Sequence, residues 1–164
     1  MTIPVIYEDK NFLVLDKPAG ASVHGGANVK GETVVNWLVS QYPEIKKVGD
    51  EPKERPGIVH RLDKDTSGVM VAARNQKTFE DLKNLFKERR VSKKYLALVV
   101  GAPKRKSGTI DAPIGRSLSN PLKRGVGKIR GERNALTRYR LLERIGGFSL
   151  LEVEPQTGRM HQIR

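Results

Sequence analysis

The stretch from Gly57 to Gly68, reading GIVHRLDKDTSG, constrains this chain more than any other. Apolar runs flank its polar centre: Gly57-Ile58-Val59 before it and Val69-Met70-Val71-Ala72-Ala73 after it. Short apolar runs of this kind read as β-strands. The His, the basic pair Arg61 and Lys64, the two Asp and the two hydroxyls between them therefore belong to a turn presented by a sheet. Polar loops on a rigid scaffold are where binding and catalysis concentrate.

The rest of the chain supplies that scaffold. Val5-Ile6-Tyr7 and Phe12-Leu13-Val14-Leu15, separated by Glu8-Asp9-Lys10-Asn11, predict a β-hairpin. Asp16-Lys17-Pro18-Ala19-Gly20 ends it, because Pro18 cannot donate to a sheet ladder. Lys17 and His24, in the loop that follows, are candidates for phosphate contact. Val34, Val35, Leu38 and Val39 predict a helix over 32–42, stopped by Pro43. The charged, Pro-punctuated stretch 45–56 reads as a surface loop. Phe79, Leu82, Leu85 and Phe86 give a second helix over 76–90, capped by Asn75 or by Thr78 with Asp81. The run Tyr95 to Val100 reads as a central strand buried on both faces. Two further strands, 135–142 and 148–153, are joined through Gly146-Gly147. No repeat and no domain linker interrupts this order, so residues 1–164 read as one domain.

Charge narrows the partner. The formal net charge is +13, and twelve basic residues against three acidic ones between Gly101 and Arg144 put +9 of it in one segment. Its Gly-rich middle, 121–131, carries Lys123, Arg124, Lys128 and Arg130 with no acid. Such a segment suits a phosphate backbone. The absence of cysteine excludes disulfides and fits a reducing cytoplasm. No apolar run reaches membrane-spanning length, and the N-terminus lacks a secretory pattern.

The loop chemistry remains open at this level. Asp63 is a candidate nucleophile or general base, and Arg61, Arg159 and Arg164 are available to pair with it. Asp65 reads as an Asx-turn residue, accepting from the N–H of Ser67 or Gly68. The spacing of His60, His161 and the two Asp matches no metal motif, and neither a P-loop nor a dinucleotide fingerprint occurs.

Four motifs, in order, resemble those of the RluA family of RNA pseudouridine synthases: Asp16-Lys17-Pro18-Ala19-Gly20 with Val23-His24-Gly25, then His60 to Gly68, Lys94 to Val99, and Gly158-Arg159-Met160-His161-Gln162-Ile163-Arg164. The resemblance implies an α+β fold, a largely antiparallel mixed sheet with flanking helices. It implies isomerisation of uridine in rRNA or tRNA to pseudouridine, without cofactor or metal, in the cytoplasm. Asp63 matches the catalytic aspartate, Arg164 its arginine partner, and Tyr95 the tyrosine that stacks on the target base. Arg61 matches a residue that helps extrude the uridine, and Ile163 an apolar contact to the base. His60, Lys17, His24, Lys123, Arg124, Lys128 and Arg130 are expected on the RNA-facing side. Met160 stands where the family pattern has Thr or Ser.

No S4-type RNA-binding domain precedes the first motif, and the family's catalytic domain continues past the late arginine motif. The resemblance therefore implies a chain truncated at its C-terminus, with weak or no activity as a fragment; a monomer is expected for the full-length protein. Two other readings compete. A non-catalytic basic RNA-binding module, such as a ribosome-associated protein, would share the charge. A glycoside hydrolase would need a second carboxylate across the substrate, where Asp65 is poorly placed.

Overall fold

The computed structural model describes residues 1–26, 29, 31–120 and 123–164. They form two compact units, Met1–Arg90 and Val91–Arg164. No helix among them is long and apolar enough to cross a membrane.

The first unit is built on an antiparallel sheet of β1 (Val5–Glu8), β2 (Phe12–Lys17) and β3 (Gly68–Ala73), with β2 in the middle. The β1–β2 hairpin closes where expected. Asp9 Oδ1 accepts the N–H groups of Asn11 and Phe12 at 2.7 and 2.9 Å, and these donors hold its carboxyl below the usual carboxylate range. Along β2 every second residue, Leu13, Leu15 and Lys17, is fully buried.

Helix α1 (Val34–Gln41) starts at a capping box between Thr33 and Asn36 and buries Val34, Val35, Trp37 and Leu38. The helix ends ahead of Pro43 as expected, but the stretch 45–56 is not all surface loop: Pro43 leads a 3-10 turn, Pro43–Lys47, that puts Ile45 in the core, and Val48 follows it inside. The charges around them had hidden these two anchors. Helix α2 (Gln76–Lys87) is capped by Asn75, whose side chain accepts from Thr78 N–H at 2.9 Å. Its Phe79 packs on Val48 and Ala73. The helix stops three residues earlier than its basic tail suggested. Arg89 takes φ +58, and Arg90 N–H turns back to the carbonyl of Leu85 at 2.9 Å. This is a Schellman closure with Arg where Gly is usual.

In the second unit, β4 (Tyr95–Val100), β5 (Ser107–Asp111), β9 (Leu136–Ile145) and β10 (Phe148–Pro155) form an antiparallel sheet in the order β4-β10-β9-β5. The β9–β10 hairpin turns at Gly146-Gly147, with Gly146 at φ +59. A smaller antiparallel sheet contains β6 (Ile114–Ser117), β7 (Arg124–Gly125) and β8 (Ile129–Arg133), with β6 in the middle. Pro121 and Leu122, at the start of the basic Gly-rich stretch, lie outside the described residues.

The position of β4 corrects the sequence reading. It is an edge strand, paired with β10 alone among the described residues. Only alternate side chains turn inward; Leu96, Leu98 and Val100 are 70%, 62% and 86% exposed. A continuous apolar run does not reveal how many of its faces are covered.

Candidate active site

The loop that carries Asp63 is anchored at both ends. At its start, Gly57 has φ +70, and a Cβ there would lie 2.6 Å from the Ala73 carbonyl oxygen and 2.7 Å from Ile45 Cγ2. Only glycine fits. Gly57 N–H donates to Val48, and the Gly57 carbonyl accepts from Ala73, both at 2.9 Å. Ile58 bridges to Ala72. Leu62 is buried and pins the loop immediately before Asp63, which is half-buried. The turn closes through the backbone, with Thr66 N–H donating to the Asp63 carbonyl at 3.1 Å. The expected Asx bond from Asp65 is not formed; Asp65 is exposed.

Lys17 has a different role from the one expected of it. It is fully buried, and its ammonium donates to the carbonyls of Pro18, Ala21 and Lys64 at 2.8, 2.8 and 2.9 Å. An ammonium has three protons, and all are used. Lys17 therefore offers no surface to a phosphate; it joins the first motif to the peptide between Asp63 and Asp65. Gly20 N–H reaches the same Lys64 carbonyl at 2.9 Å. Burial pushes the Lys17 pKa down, opposed by the negative charges of Asp65 and Asp63. Its inward position was visible as the third member of the Leu13, Leu15, Lys17 alternation.

His60 likewise turns inward rather than toward an RNA surface. Its ring stacks on Phe86 of α2 with centroids 4.5 Å apart, and its Nε2 accepts the Val71 N–H of β3 at 3.0 Å. An accepting Nε2 places the ring proton on Nδ1.

Arg61 and His24, two of the residues expected on the RNA-facing side, lie in contact with each other. Arg61 is exposed, and its Nη1 lies 3.3 Å from His24 Nε2. Arginine can only donate, so Nε2 accepts and the His24 proton sits on Nδ1. That Nδ1 is buried without a hydrogen-bond partner among the described residues. Burial, then the charges of Arg61 and Arg55, push the His24 pKa down, against the pull of Glu54 and Glu51.

Tyr95, Ile163 and Arg164 belong to the second unit, whereas Asp63 belongs to the first. Tyr95 opens β4 opposite Val153. Ile163 lines an apolar cavity of about 370 Å³ with Ala97, Val99, Tyr139, Leu151 and Val153. Arg164 N–H donates to the carbonyl of His161, which itself has φ +58. Lys123, Lys128 and Arg130 are exposed and Arg124 half-buried on the small sheet and its turns. Arg159 donates from Nε to the Asn134 carbonyl at 2.9 Å.

One densely bonded residue in this unit escaped sequence reasoning. Gln162 Oε1 accepts from Thr157 Oγ1 and from Arg159 N–H, both at 2.8 Å. Its Nε2 donates to the Leu136 carbonyl at 3.1 Å and to Thr137 Oγ1 at 2.9 Å. Thr157 Oγ1 also accepts from Leu136 N–H at 3.0 Å. The amide thus binds the segment before Ile163 and Arg164 to the start of β9 with its full hydrogen-bonding capacity.

Comparison with known proteins bears on this arrangement. The family model described as RNA pseudouridylate synthase matches residues 11–164. The chain is 47% identical over 162 residues to ribosomal large subunit pseudouridine synthase D of Borreliella burgdorferi, covering 99% of this chain and 49% of that protein. It is 47% identical over 160 residues to the protein of the same name from Xanthomonas campestris, covering 98% and 46%. The chain spans about half the length of the curated relatives it matches. Among solved structures, human RNA pseudouridylate synthase domain containing 1 superposes with a TM-score of 0.79 at 27% identity, covering 99% of this chain and 63% of that one. Human RNA pseudouridylate synthase domain containing 4 gives 0.75 at 31%, covering 98% and 61%.

Proposed function

Because the chain belongs to the RNA pseudouridine synthase family, we propose that it isomerises uridines of structured RNA to pseudouridine through Asp63, with large-subunit rRNA the first substrate to test. The name carried by its relatives from Borreliella burgdorferi and Xanthomonas campestris supports that choice of RNA. In the reaction the N1–C1′ bond breaks, the uracil turns, C5 bonds to C1′, and the proton lost from C5 is balanced by one gained at N1. No atom is added or removed, so the residues have only to bind, orient and stabilise.

The observation that carries this reading is the mounting of Asp63. It is half-buried on a turn whose neighbouring peptide is gripped by the Lys17 ammonium. A carboxylate that acts on a ribose must be held in place before the substrate arrives. Arg164 is assigned as its charge partner and Tyr95 as the platform beneath the base; Ile163 supplies an apolar contact. Arg61 is assigned to the space left by the extruded nucleotide. Extrusion costs a few kcal/mol, which stacking on an aromatic ring offsets in part. Lys123, Arg124, Lys128 and Arg130 are assigned to RNA phosphates. Residues 1–164 are assigned to the catalytic domain, acting in the cytoplasm without cofactor or metal.

The test is Asp63→Ala in the complete gene product. Pseudouridine in bulk rRNA should fall to background while RNA binding persists. If the substitution leaves the product unchanged, the chain is an RNA-binding module and Asp63 is only a turn residue.

A further inference from the structure

The register of the small sheet creates a feature that charge counting does not. On β6, Arg116 lies directly opposite Arg124 of β7 on one side and Arg130 of β8 on the other. Directly paired residues project from the same face. The three arginine side chains therefore leave one face of the sheet in a single row, on strands about 4.8 Å apart. Arg116 and Arg130 are exposed and Arg124 is half-buried.

Like charges set directly opposite one another destabilise a sheet. Among the described residues no carboxylate forms an ion pair with any of the three. Even Glu132, two residues from Arg130, makes no such pair. The backbone also brings the strands close. The pair beside the row is Gly115 opposite Gly125, and a Cβ on Gly115 would lie 2.7 Å from the Arg130 carbonyl oxygen and 3.0 Å from Ile129 Cβ. Glycine at 115 thus lets β8 approach and hold Arg130 in line with Arg116. A row of planar donor forks, rooted at strand spacing and without a carboxylate partner among the described residues, fits a ligand that carries anionic charge at short regular intervals.

We propose that Arg116, Arg124 and Arg130 form a phosphate-binding row that grips consecutive backbone phosphates of the RNA. Arg116, which the sequence reading did not single out, is its centre. The inference rests on the proposed function only in taking RNA as the polyanion.

The test uses the complete gene product and a fluorescein-labelled RNA hairpin, with affinity measured over a series of KCl concentrations. Arg116→Gln, Arg124→Gln and Arg130→Gln should each weaken binding several-fold and lower the slope of log affinity against log salt by about 0.7–0.9, the share of one phosphate contact. Arg116→Lys should keep the slope and still lose affinity, because an ammonium cannot reproduce the bidentate fork. Arg116→Gln should not lower the melting temperature, since it relieves like-charge opposition. Arg105→Gln, on a basic residue outside the small sheet, is the comparison. If it shifts affinity and slope as much as Arg116→Gln, or if Arg116→Lys binds like the parent, the row is only part of a diffuse positive field and the proposal fails. Pseudouridine formation is scored separately, so an inactive protein that shows the slope changes would overturn the proposed function while leaving the row intact.

Discussion

His60 Nε2 accepts the backbone N–H of Val71 at 3.0 Å, eleven positions along the chain and across the Asp63 turn. The imidazole acts as a strut between the start of the loop and the strand that ends it, and Phe86 supports its other side. His60→Phe keeps an aromatic ring against Phe86 but leaves the Val71 N–H without its acceptor. An unpaired buried donor costs about 1–3 kcal/mol, and Val71 is half-buried, which puts the loss at the low end, about 1 kcal/mol. Urea unfolding should show a loss of that size. A His60→Phe protein as stable as the parent would mean that the bond contributes nothing.

Gln162 should respond in two measurements. Gln162→Leu removes four hydrogen bonds at once, leaving Thr137 and Thr157, both buried, to find other partners. The stability loss should be about 2–4 kcal/mol, the cost of one or two orphaned polar groups after relaxation. Because the amide moors the segment leading to Ile163 and Arg164, the proposed function predicts that, in the complete gene product, kcat for pseudouridine formation falls more than RNA affinity does. Gln162→Glu keeps both accepting positions and loses both donations, so it should restore neither stability nor kcat. Parent-like kcat in either variant would show that the mooring is not needed for turnover.

His24 predicts a pH dependence with a definite sign. Its native pKa lies below the ordinary value of 6.5 because the ring is buried and faces Arg61. Between the native value and 6.5 the unfolded chain therefore binds more protons than the folded one, and stability rises with pH. Below that window the penalty is fully present; above 6.5 it is gone. His24→Gln keeps an acceptor for Arg61 and removes the titration. Plotted against pH, the difference in unfolding free energy between variant and parent should shrink as pH rises through this window. A constant difference would exclude His24 as the source.

Local pattern carried much of this fold. The β1–β2 hairpin, both helices and the Gly146-Gly147 turn follow from apolar spacing and turn residues that act over a few positions. The order of the four motifs likewise pointed to the family whose model matches residues 11–164. The errors arose where a residue's environment is set from far away. Ile45 is a core residue among charges, and its side chain packs against Gly57 at the far end of the loop. β4 looks central because its apolar run says nothing about which face is covered. Lys17 carries a charge at a position whose alternation with Leu13 and Leu15 points inward, and the charge misled. The Arg116 row and the Gln162 bonds depend on strand register and on partners up to 26 residues away. The boundary between units, after Arg90, carries no Pro, Gly or Ser run to mark it.

The three-way grip of Lys17 has a practical consequence for anyone watching this loop move. Amine-acylating reagents attack only free, solvent-reached amino groups, and this ammonium is enclosed with every proton donated. Solvent-exposed lysines will label at once, whereas Lys17 can label only during openings that release the Lys64 carbonyl and expose the amine. Its acylation rate, read by mass spectrometry on the peptide that contains it, is thus a clock for the breathing of the Asp63 turn. The chain carries that probe natively, with no dye, tag or engineered cysteine required.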